Sequence, residues 1–401
     1  MIAFGGAGGD DPVARVLDAA AEVPALQERL GGIAFPDAFA AELLAVASEL
    51  GLDLDPAALA RSGASRAVTS DEAVPPLGWL PARSVATGGA PAFDWLWFGS
   101  APVSDPFYFD AVRRLGFRPF ARATRVRTSL DTLVRGAAAH ASLAPDGLIF
   151  HLSRCGSTLA AQMLAASSDH IVLSEPEPLD AVVRWAATSG APLQDQVAAL
   201  RAIVATLGRN RSGTARRFFL KLDAWHILSL PLFRAAFPKV PWIFVYREPE
   251  EVMVSHAREP GLHVVPGILP PAVTGIAGDG APSLTDYAAQ VLGRIMGAAV
   301  DGLSLGGGML VHYGDIGAAM LDGVPEHFGF RPDPGERAAM RAAAGRDAKD
   351  PARSFTADTA LKRAEVTVQI AAAVEAHAAA PYAELERLRA DTSQACAVNR
   401  K

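Results

Sequence analysis

The chain has 401 residues and a formal net charge of -6, with hydrophobic residues making up 50% of the sequence. That length predicts two to three domains, and the hydrophobic fraction excludes wholesale disorder. A weakly acidic chain binds nucleic acid poorly without massed cations, so nucleic acid is not an expected partner. Its two cysteines, Cys155 and Cys396, exclude a disulfide framework.

Targeting signals are not recognisable in the sequence. The opening residues, MIAFGGAGGDDPVARVL, lack a basic leader followed by an apolar run, so we expect no secretory signal. We also expect no membrane span, because we find no stretch of about 18 uncharged apolar residues. A cytoplasmic location is the simplest expectation. The sequence has no signature of an oligomeric state.

The first part of the chain reads as mostly helical. Residues 12–31 and 36–51 are rich in Ala and Leu at helical spacing. Residues 61–92 are rich in Gly, Pro, Ser and Thr, which predicts a loop or linker. An aromatic-rich segment follows at 93–117. We therefore expect an N-terminal region at 1–140, mostly helical, and an α/β domain at 141–401.

Short apolar runs alternate with helical segments from about residue 145. The predicted strands are 147–152, 170–174, 217–222, 242–246 and 309–313. The predicted helices are 157–167, 178–188, 194–208, 225–236, 249–258 and 284–303. This alternation predicts an α/β fold, a parallel sheet flanked by helices. Such sheets bind ligands beyond the carboxyl ends of their strands, which directs attention to the residues that follow each strand.

A phosphate-binding loop is the first candidate at a strand end. Ser153, Arg154, Cys155, Gly156, Ser157 and Thr158 follow the first strand and lead into a helix. A glycine lets backbone approach a phosphate, and amides at a helix N-terminus donate to it. The guanidinium of Arg154 can donate two parallel hydrogen bonds to the oxygens of a phosphate. The loop is not a Walker A motif, since no lysine follows Gly156. An ordinary strand-to-helix turn is the alternative interpretation.

A second basic group follows the fourth strand. Arg247 follows that strand, and Ser255 lies eight residues later on the next helix, so the two side chains can bind the same phosphate. The alternative is an ion pair of Arg247 with Glu250 or Glu251. Lys221, at the end of the third strand, is one of only five lysines in the chain. A solvated strand-end cation is its alternative interpretation.

These residues resemble two signatures of the sulfotransferase family. The segment FHLSRCGSTL resembles the loop that binds the 5′ phosphosulfate of the donor, and WIFVYREPEEVMVS resembles the segment that holds its 3′ phosphate. The match covers residues 145–260. It implies a P-loop-like sulfotransferase fold of bacterial type and a donor, 3′-phosphoadenosine 5′-phosphosulfate, with no metal required. The acceptor would be a small molecule or a peptide carrying a hydroxyl, phenol or amine.

The resemblance also implies roles for individual residues. Ser153 to Thr158 would line the 5′ phosphosulfate site, with Arg154 stabilising the donor, and Arg247 and Ser255 would line the 3′ phosphate site. Lys221 occupies the place of the lysine that steadies the leaving group. A basic loop at 345–355 offers further candidates for the 3′ phosphate, namely Arg346, Lys349 and Arg353.

A base must take the proton of the acceptor as it attacks. We prefer Glu175, which follows the second strand and lies twenty-one residues after Arg154, a spacing similar to that of the family branch with a glutamate base. Glu177, Asp223 and His226 are the other candidates. Cys155 has no His or second Cys at a motif spacing, so a loop-filling role is expected rather than a nucleophile.

Two other functions compete with sulfuryl transfer. A P-loop kinase or phosphotransferase would need a lysine after Gly156 and an acidic Mg²⁺ ligand at a strand end, for which Asp223 offers partial support. A non-catalytic nucleotide-binding module is the second alternative. Residues 259–283, rich in Pro and Gly, and the aromatic segment at 93–117 are candidates for contact with an acceptor.

Overall fold

The computed structural model describes residues 12–21, 23–57, 68–277, 283–348 and 358–398. The chain divides into two compact units. The first consists of Met1–Ala144, Glu175–Trp185 and Gln194–Arg216, and the second of Pro145–Ser174, Ala186–Leu193 and Arg217–Lys401. The sequence predicted a single division at residues 140/141. The structure instead groups Glu175–Trp185 and Gln194–Arg216, which lie after that division, with the N-terminal region.

The first unit begins with three helices. These are α1 (Pro12–Ala21), α2 (Pro24–Gly31) and α3 (Pro36–Glu49). Proline lies in the first turn of α2 and α3, where its missing N–H has no helical acceptor to lose. Val16, Leu17 and Ala20 of α1 are buried, as their helical spacing predicts.

A four-stranded sheet follows in the first unit. Its strands are β1 (Val68–Ser70), β2 (Trp79–Val85), β3 (Ala92–Trp97) and β4 (Val126–Ser129), in the order β1-β4-β3-β2. Strands β1 and β4 are parallel, and the other neighbours are antiparallel. The remaining helices of this part are α4 (Tyr108–Gly116), α5 (Pro119–Ala123) and α6 (Leu130–Gly136).

The mostly helical character of this region is confirmed, because more of its described residues lie in helices than in strands. The sheet itself was not predicted, and β2 falls inside the stretch read as a loop. A register shift between Pro81 and Arg83 interrupts the pairing of β2 with β3, which disturbs the alternation by which a strand is recognised.

The second unit contains the predicted parallel sheet. Its strands are β5 (Gly147–His151), β6 (His170–Ser174), β7 (Arg217–Lys221), β8 (Trp242–Tyr246) and β9 (Gly308–His312). The order is β6-β7-β5-β8-β9, and all neighbours are parallel. Every residue of β5 and β8 is buried, which explains why both read as continuous apolar runs. The predicted α/β fold is therefore confirmed.

Helices connect and flank these strands. The connections from β5 to β7 contain α7 (Ser157–Ala165), α8 (Glu177–Thr188) and α9 (Leu193–Leu207), and α7 packs on β5, β6 and β7. After β7 come α10 (Leu230–Ala236), α11 (Pro249–Arg258), α12 (Pro271–Thr274) and α13 (Leu284–Leu303). After β9 come α14 (Ile316–Leu321), α15 (Gly323–His327), α16 (Pro334–Ala344), α17 (Thr359–Ala364), α18 (Val368–His377) and α19 (Ala379–Val398).

Two helical predictions need adjustment. The segment predicted as one helix at 225–236 is a 3₁₀ turn at Ala224–Ser229 followed by α10, because Pro231 can start a helix but cannot continue one. The described part of the Pro- and Gly-rich segment at 259–283 contains a 3₁₀ turn at Leu262–Val264 and the short helix α12. Among the described helices, none combines the length and apolar character that crossing a membrane requires.

The strand order places a binding position at β5. From β5 the chain proceeds outward to β6 and returns through β7, and it then continues on the other side of β5 with β8 and β9. The order reverses at β5, and ligands of open parallel sheets bind at the carboxyl ends of strands at such a point. The predicted phosphate-binding loop follows β5 directly.

Candidate active site

The loop after β5 has a left-handed backbone. Ser153 and Arg154 adopt φ values of 77° and 49°, although neither is glycine. Each such residue costs roughly 1–3 kcal/mol, and such conformations concentrate at binding and catalytic sites. Left-handed residues in a turn direct successive N–H groups toward one concavity, which suits an anion. The loop is therefore not a relaxed turn, and its backbone can present N–H groups to an anion.

Gly156 allows the loop to enter helix α7. Its φ is 86°, and a Cβ at this position would lie 2.6 Å from Ile316 Cδ1 and 3.0 Å from Tyr313 Cδ2. No other residue type has both the conformational freedom and the space. Helix α7 begins at the next residue, and Ser157 and Thr158 in its first turn are buried.

Neighbouring strands hold this loop in place. The backbone N–H of Ser153 donates to His151 Nδ1 at 3.0 Å, so the other ring nitrogen of neutral His151 carries the proton and donates to the Leu222 carbonyl at 2.8 Å. The Cys155 thiol donates to the Val245 carbonyl at 3.1 Å. These bonds link the loop to the ends of β7 and β8.

Cys155 is a loop-filling residue. It is fully buried, and burial raises the pKa of its thiol to about 11. The thiol is therefore protonated at neutral pH and is a poor nucleophile. The charge of Lys221 has a smaller, opposite effect on this pKa.

Lys221 is the buried cation of the site. It is 1% exposed and ends β7, where it lies in register with Ser174 of β6 and Ile149 of β5. A buried lysine is rare unless its charge is compensated. Its position at the carboxyl end of the sheet agrees with the strand-end argument from the sequence.

Arg154 is the second cation at this edge. Its Nη2 donates to the carbonyl of Glu259 at 2.9 Å and to its carboxylate at 2.8 Å. The side chain of Glu259 is 77% exposed, so this ion pair is a weak surface contact. An anionic ligand at the loop could compete for the same guanidinium.

Arg247 lies at the end of β8 and is 2% exposed. Its Nε donates to Glu251 Oε2 at 2.6 Å, and its Nη2 donates to Asp358 Oδ1 at 3.1 Å and to Thr359 Oγ1 at 3.1 Å. Burial opposes its charge, but the bonds to Glu251 and Asp358 outweigh that effect and raise the pKa of Arg247. The ion pair with Glu251, one of the two interpretations from the sequence, is thus present in the structure.

Ser255 lies on α11 beside this group. It is 9% exposed, and its hydroxyl donates to the Glu251 carbonyl at 3.0 Å, four residues earlier in the helix. Arg247 and Ser255 therefore both contact Glu251, the first through its carboxylate and the second through its backbone carbonyl.

The candidate bases have different surroundings. Glu175 is half-buried with φ 53°, and it belongs to the first unit, as does Glu177. The exposed Glu177 accepts from the Ser84 amide at 2.6 Å and from its hydroxyl. Asp223 caps the 3₁₀ turn, and His226 Nδ1 accepts from its backbone N–H at 3.3 Å. His226 is fully buried and has this capping role.

The basic loop near the C-terminus is described only in part. Arg346 is exposed just beyond α16, whereas Lys349 and Arg353 lie outside the described residues. The structure adds three site residues that the sequence analysis missed, namely His151, Tyr313 and Asp358. Asp358 is remote from Arg247 in sequence, and no local pattern indicates that the two residues are in contact.

Known proteins that are similar to the chain are found among solved structures. No protein-family model and no curated protein matches the chain. Solved structures that are similar to the chain include three with 16–17% identity and TM-scores of 0.34–0.37. One is the sulfotransferase domain of the olefin synthase of Synechococcus PCC 7002, with 16% identity, a TM-score of 0.35, and 59% of this chain and 95% of that chain covered.

The other two structures are also sulfotransferases. The sulfotransferase STF1 from Mycobacterium tuberculosis H37Rv has 17% identity and a TM-score of 0.34, with 51% of this chain and 72% of that chain covered. The sulfotransferase domain from the curacin biosynthetic pathway has 17% identity and a TM-score of 0.37, with 63% and 99% covered. Similarity at this level does not establish a shared activity, so the function has to be argued from the side chains.

Proposed function

We propose that the chain transfers a sulfuryl group from 3′-phosphoadenosine 5′-phosphosulfate to a hydroxyl, phenol or amine acceptor. The observation that carries this proposal is Lys221, a buried cation at the carboxyl end of β7, in register with Ile149 of β5, the strand that leads into the left-handed loop. A cation beside an amide-lined turn suits a phosphate that gains negative charge as it leaves.

The described residues fit the two ends of such a donor. The loop at 153–158 offers backbone amides, hydroxyl groups and the Arg154 guanidinium to a 5′ phosphosulfate. Arg247, which follows β8, and Ser255 of α11 both contact Glu251 and would offer a second site for a 3′ phosphate. A nucleoside with phosphate groups on both the 3′ and 5′ oxygens requires two such sites.

The chemistry needs cations on the donor side and a base on the acceptor side. A bound donor supplies the sulfuryl group, whose bond to the 5′ phosphate oxygen breaks as the acceptor atom bonds to sulfur. Lys221 would donate a hydrogen bond to the departing oxygen, and Arg154 would donate to oxygens of the transferred group. Both hydrogen bonds would stabilise the negative charge that develops on these oxygens during transfer.

Glu175 is our proposed base, and it would take the proton that the acceptor loses. It is the residue after Ser174, the last residue of β6, which pairs in register with Lys221. Its left-handed backbone, with φ 53°, is a costly conformation of the kind that occurs at functional positions. Asp223 and His226 are weaker candidates, because both participate in capping the 3₁₀ turn.

A labelled donor tests the proposal. The full chain is incubated with donor carrying radiolabelled sulfate and with a small-molecule and peptide extract as the acceptor pool. We expect label to appear in acceptor products with the wild-type protein and a loss of at least roughly 100-fold in Lys221→Met. Lys239→Met, which changes an exposed lysine, serves as the matched control.

Two outcomes would contradict the proposal. The first is label transfer by Lys221→Met at the wild-type rate, and the second is no transfer by the wild-type protein into any acceptor. Phosphate transfer from ATP with Mg²⁺ into the same extract would instead support the phosphotransferase alternative.

A further inference from the structure

Asp358 bridges two cations in the second unit. Its Oδ1 lies 3.1 Å from Arg247 Nη2, and its Oδ2 lies 2.7 Å from Lys362 Nζ. One carboxylate therefore directs each of its two oxygens to a different cation. A phosphate group can present its oxygens to two cations in the same way.

The three side chains differ sharply in burial. Those of Arg247 and Lys362 are 3% and 8% exposed, whereas that of Asp358 is 39% exposed. A buried cation without a compensating anion is costly. Because Asp358 is the most exposed of the three, its carboxylate can rotate into water. Arg247 and Lys362 would then need another anion to compensate their charges.

Arg247 and its partner Glu251 have further contacts that do not involve Asp358. Glu251 accepts from Arg247 at 2.6 Å and from Arg363 at 2.8 Å, and it is 1% exposed. The ring of Tyr313 lies 4.0 Å from the guanidinium, a distance at which its face attracts a cation. The guanidinium is thus held on two sides by groups that do not depend on Asp358.

We propose that Asp358 occupies the place of the donor's 3′ phosphate and that Lys362 becomes a ligand of this phosphate once Asp358 has moved aside. The inference rests on the proposed function, because it assumes a donor that carries a 3′ phosphate. A phosphate monoester has a charge of about −1.5 to −2 near neutral pH, whereas the carboxylate has a single charge. The phosphate therefore compensates Arg247 and Lys362 better than Asp358 does.

A comparison of two nucleotides distinguishes binding of the 3′ phosphate from binding of a nucleotide in general. Adenosine 3′,5′-bisphosphate carries the 3′ phosphate, and adenosine 5′-phosphate lacks it. Their dissociation constants are measured by calorimetry with the full-length wild-type protein, Asp358→Asn and Lys362→Gln. Thermal unfolding of each variant shows that it is folded before it is titrated.

We expect Asp358→Asn to bind the bisphosphate more tightly by on the order of tenfold, because the competing carboxylate has lost its charge. We expect Lys362→Gln to bind it more weakly by a similar factor. Neither substitution should alter the affinity for adenosine 5′-phosphate. The matched control is Glu365→Gln, which removes a carboxylate paired with Arg258 rather than with Arg247.

Three outcomes would overturn the inference. If Asp358→Asn leaves bisphosphate affinity unchanged or weakens it, Asp358 does not compete with the phosphate. If Lys362→Gln changes the affinities for both nucleotides equally, Lys362 is not a ligand of the 3′ phosphate. Absence of bisphosphate binding in every protein, wild type included, would overturn the proposed function, which distinguishes that failure from the first two.

Discussion

Arg247 and Glu251, four residues apart in the sequence, form a buried ion pair with side chains that are 3% and 1% exposed. Removing one partner of such a pair leaves the other charge buried without full compensation, which costs about 3–5 kcal/mol. We therefore expect Glu251→Gln to lower the free energy of unfolding by about 3 kcal/mol, measured by urea denaturation. Glu384→Gln, which breaks an exposed pair with Arg387, should cost less than about 1 kcal/mol. Equal effects of the two substitutions would contradict this account of the pair.

A comparison of Gly156 with Gly190 distinguishes two effects of an added Cβ on stability: the strain of a left-handed backbone and the steric clash with neighbouring atoms. Both have positive φ, at 86° and 66°, but only Gly156 has atoms close to the position of a Cβ. We expect Gly190→Ala to lower the free energy of unfolding by about 1 kcal/mol and Gly156→Ala to lower it by about 3 kcal/mol. Gly156→Ala should also weaken nucleotide binding. A normal stability and affinity of Gly156→Ala would show that the loop does not need its left-handed turn.

Glu175 and Glu177 offer a comparison between two nearby carboxylates. If Glu175 is the base, Glu175→Gln should reduce sulfuryl transfer by roughly 100-fold or more while leaving donor affinity unchanged. Glu177→Gln should have little effect on transfer, because Glu177 is exposed and bonded to Ser84. Turnover and donor affinity of both variants provide the measurement. Reduced donor affinity in a folded Glu175→Gln would contradict its role as a base.

His256 gives the fold an acid-sensitive position. It is 4% exposed, and burial, with a smaller effect from the charge of Arg154, lowers its pKa to about 4. Its Nδ1 accepts from the Gly261 amide at 3.1 Å, and the ring of His263 packs against it. The unfolded chain binds this proton with a pKa near 6.5, so between these values the unfolded state holds more protons. Stability therefore falls as pH decreases through this range.

The expected loss from His256 between pH 7 and pH 5 is about 2 kcal/mol. His256→Gln cannot take up the proton, and Gln can still accept from the Gly261 amide. We therefore expect the urea midpoint of the variant to fall less than that of the wild type between these two pH values. Equal decreases in the two proteins would show that His256 is protonated as readily in the folded state as in the unfolded state.

Much of the second unit could be predicted from sequence for a physical reason. Strands β5 and β8 are buried on both faces, so each is a continuous apolar run that stands out between helical segments. The sheet of the first unit lacked that signal. Strand β2 lies in a Pro- and Gly-rich stretch, and its register shift at Pro81 interrupts the alternation that predicts a strand.

The candidate site was predictable only where its residues follow strands. Arg154, Lys221 and Arg247 come after β5, at the end of β7 and after β8, and the parallel sheet brings these positions to one edge. Glu251, four residues after Arg247, was one of the partners expected from the sequence. Other partners were not predictable, because they are remote in sequence. Glu259 lies 105 residues from Arg154, and Asp358 lies 111 residues from Arg247. Periodicity and local motifs carry no information about pairs at such separations.

Nucleotide titration of the wild-type chain tests the central claim most directly. The protein is titrated in a calorimeter with adenosine 3′,5′-bisphosphate and, separately, with ATP and Mg²⁺. The account predicts tight binding of the bisphosphate, weaker binding of ATP, and loss of bisphosphate affinity in Arg247→Ala. Binding of ATP with Mg²⁺ alone, with no heat from the bisphosphate, would contradict the sulfotransferase assignment.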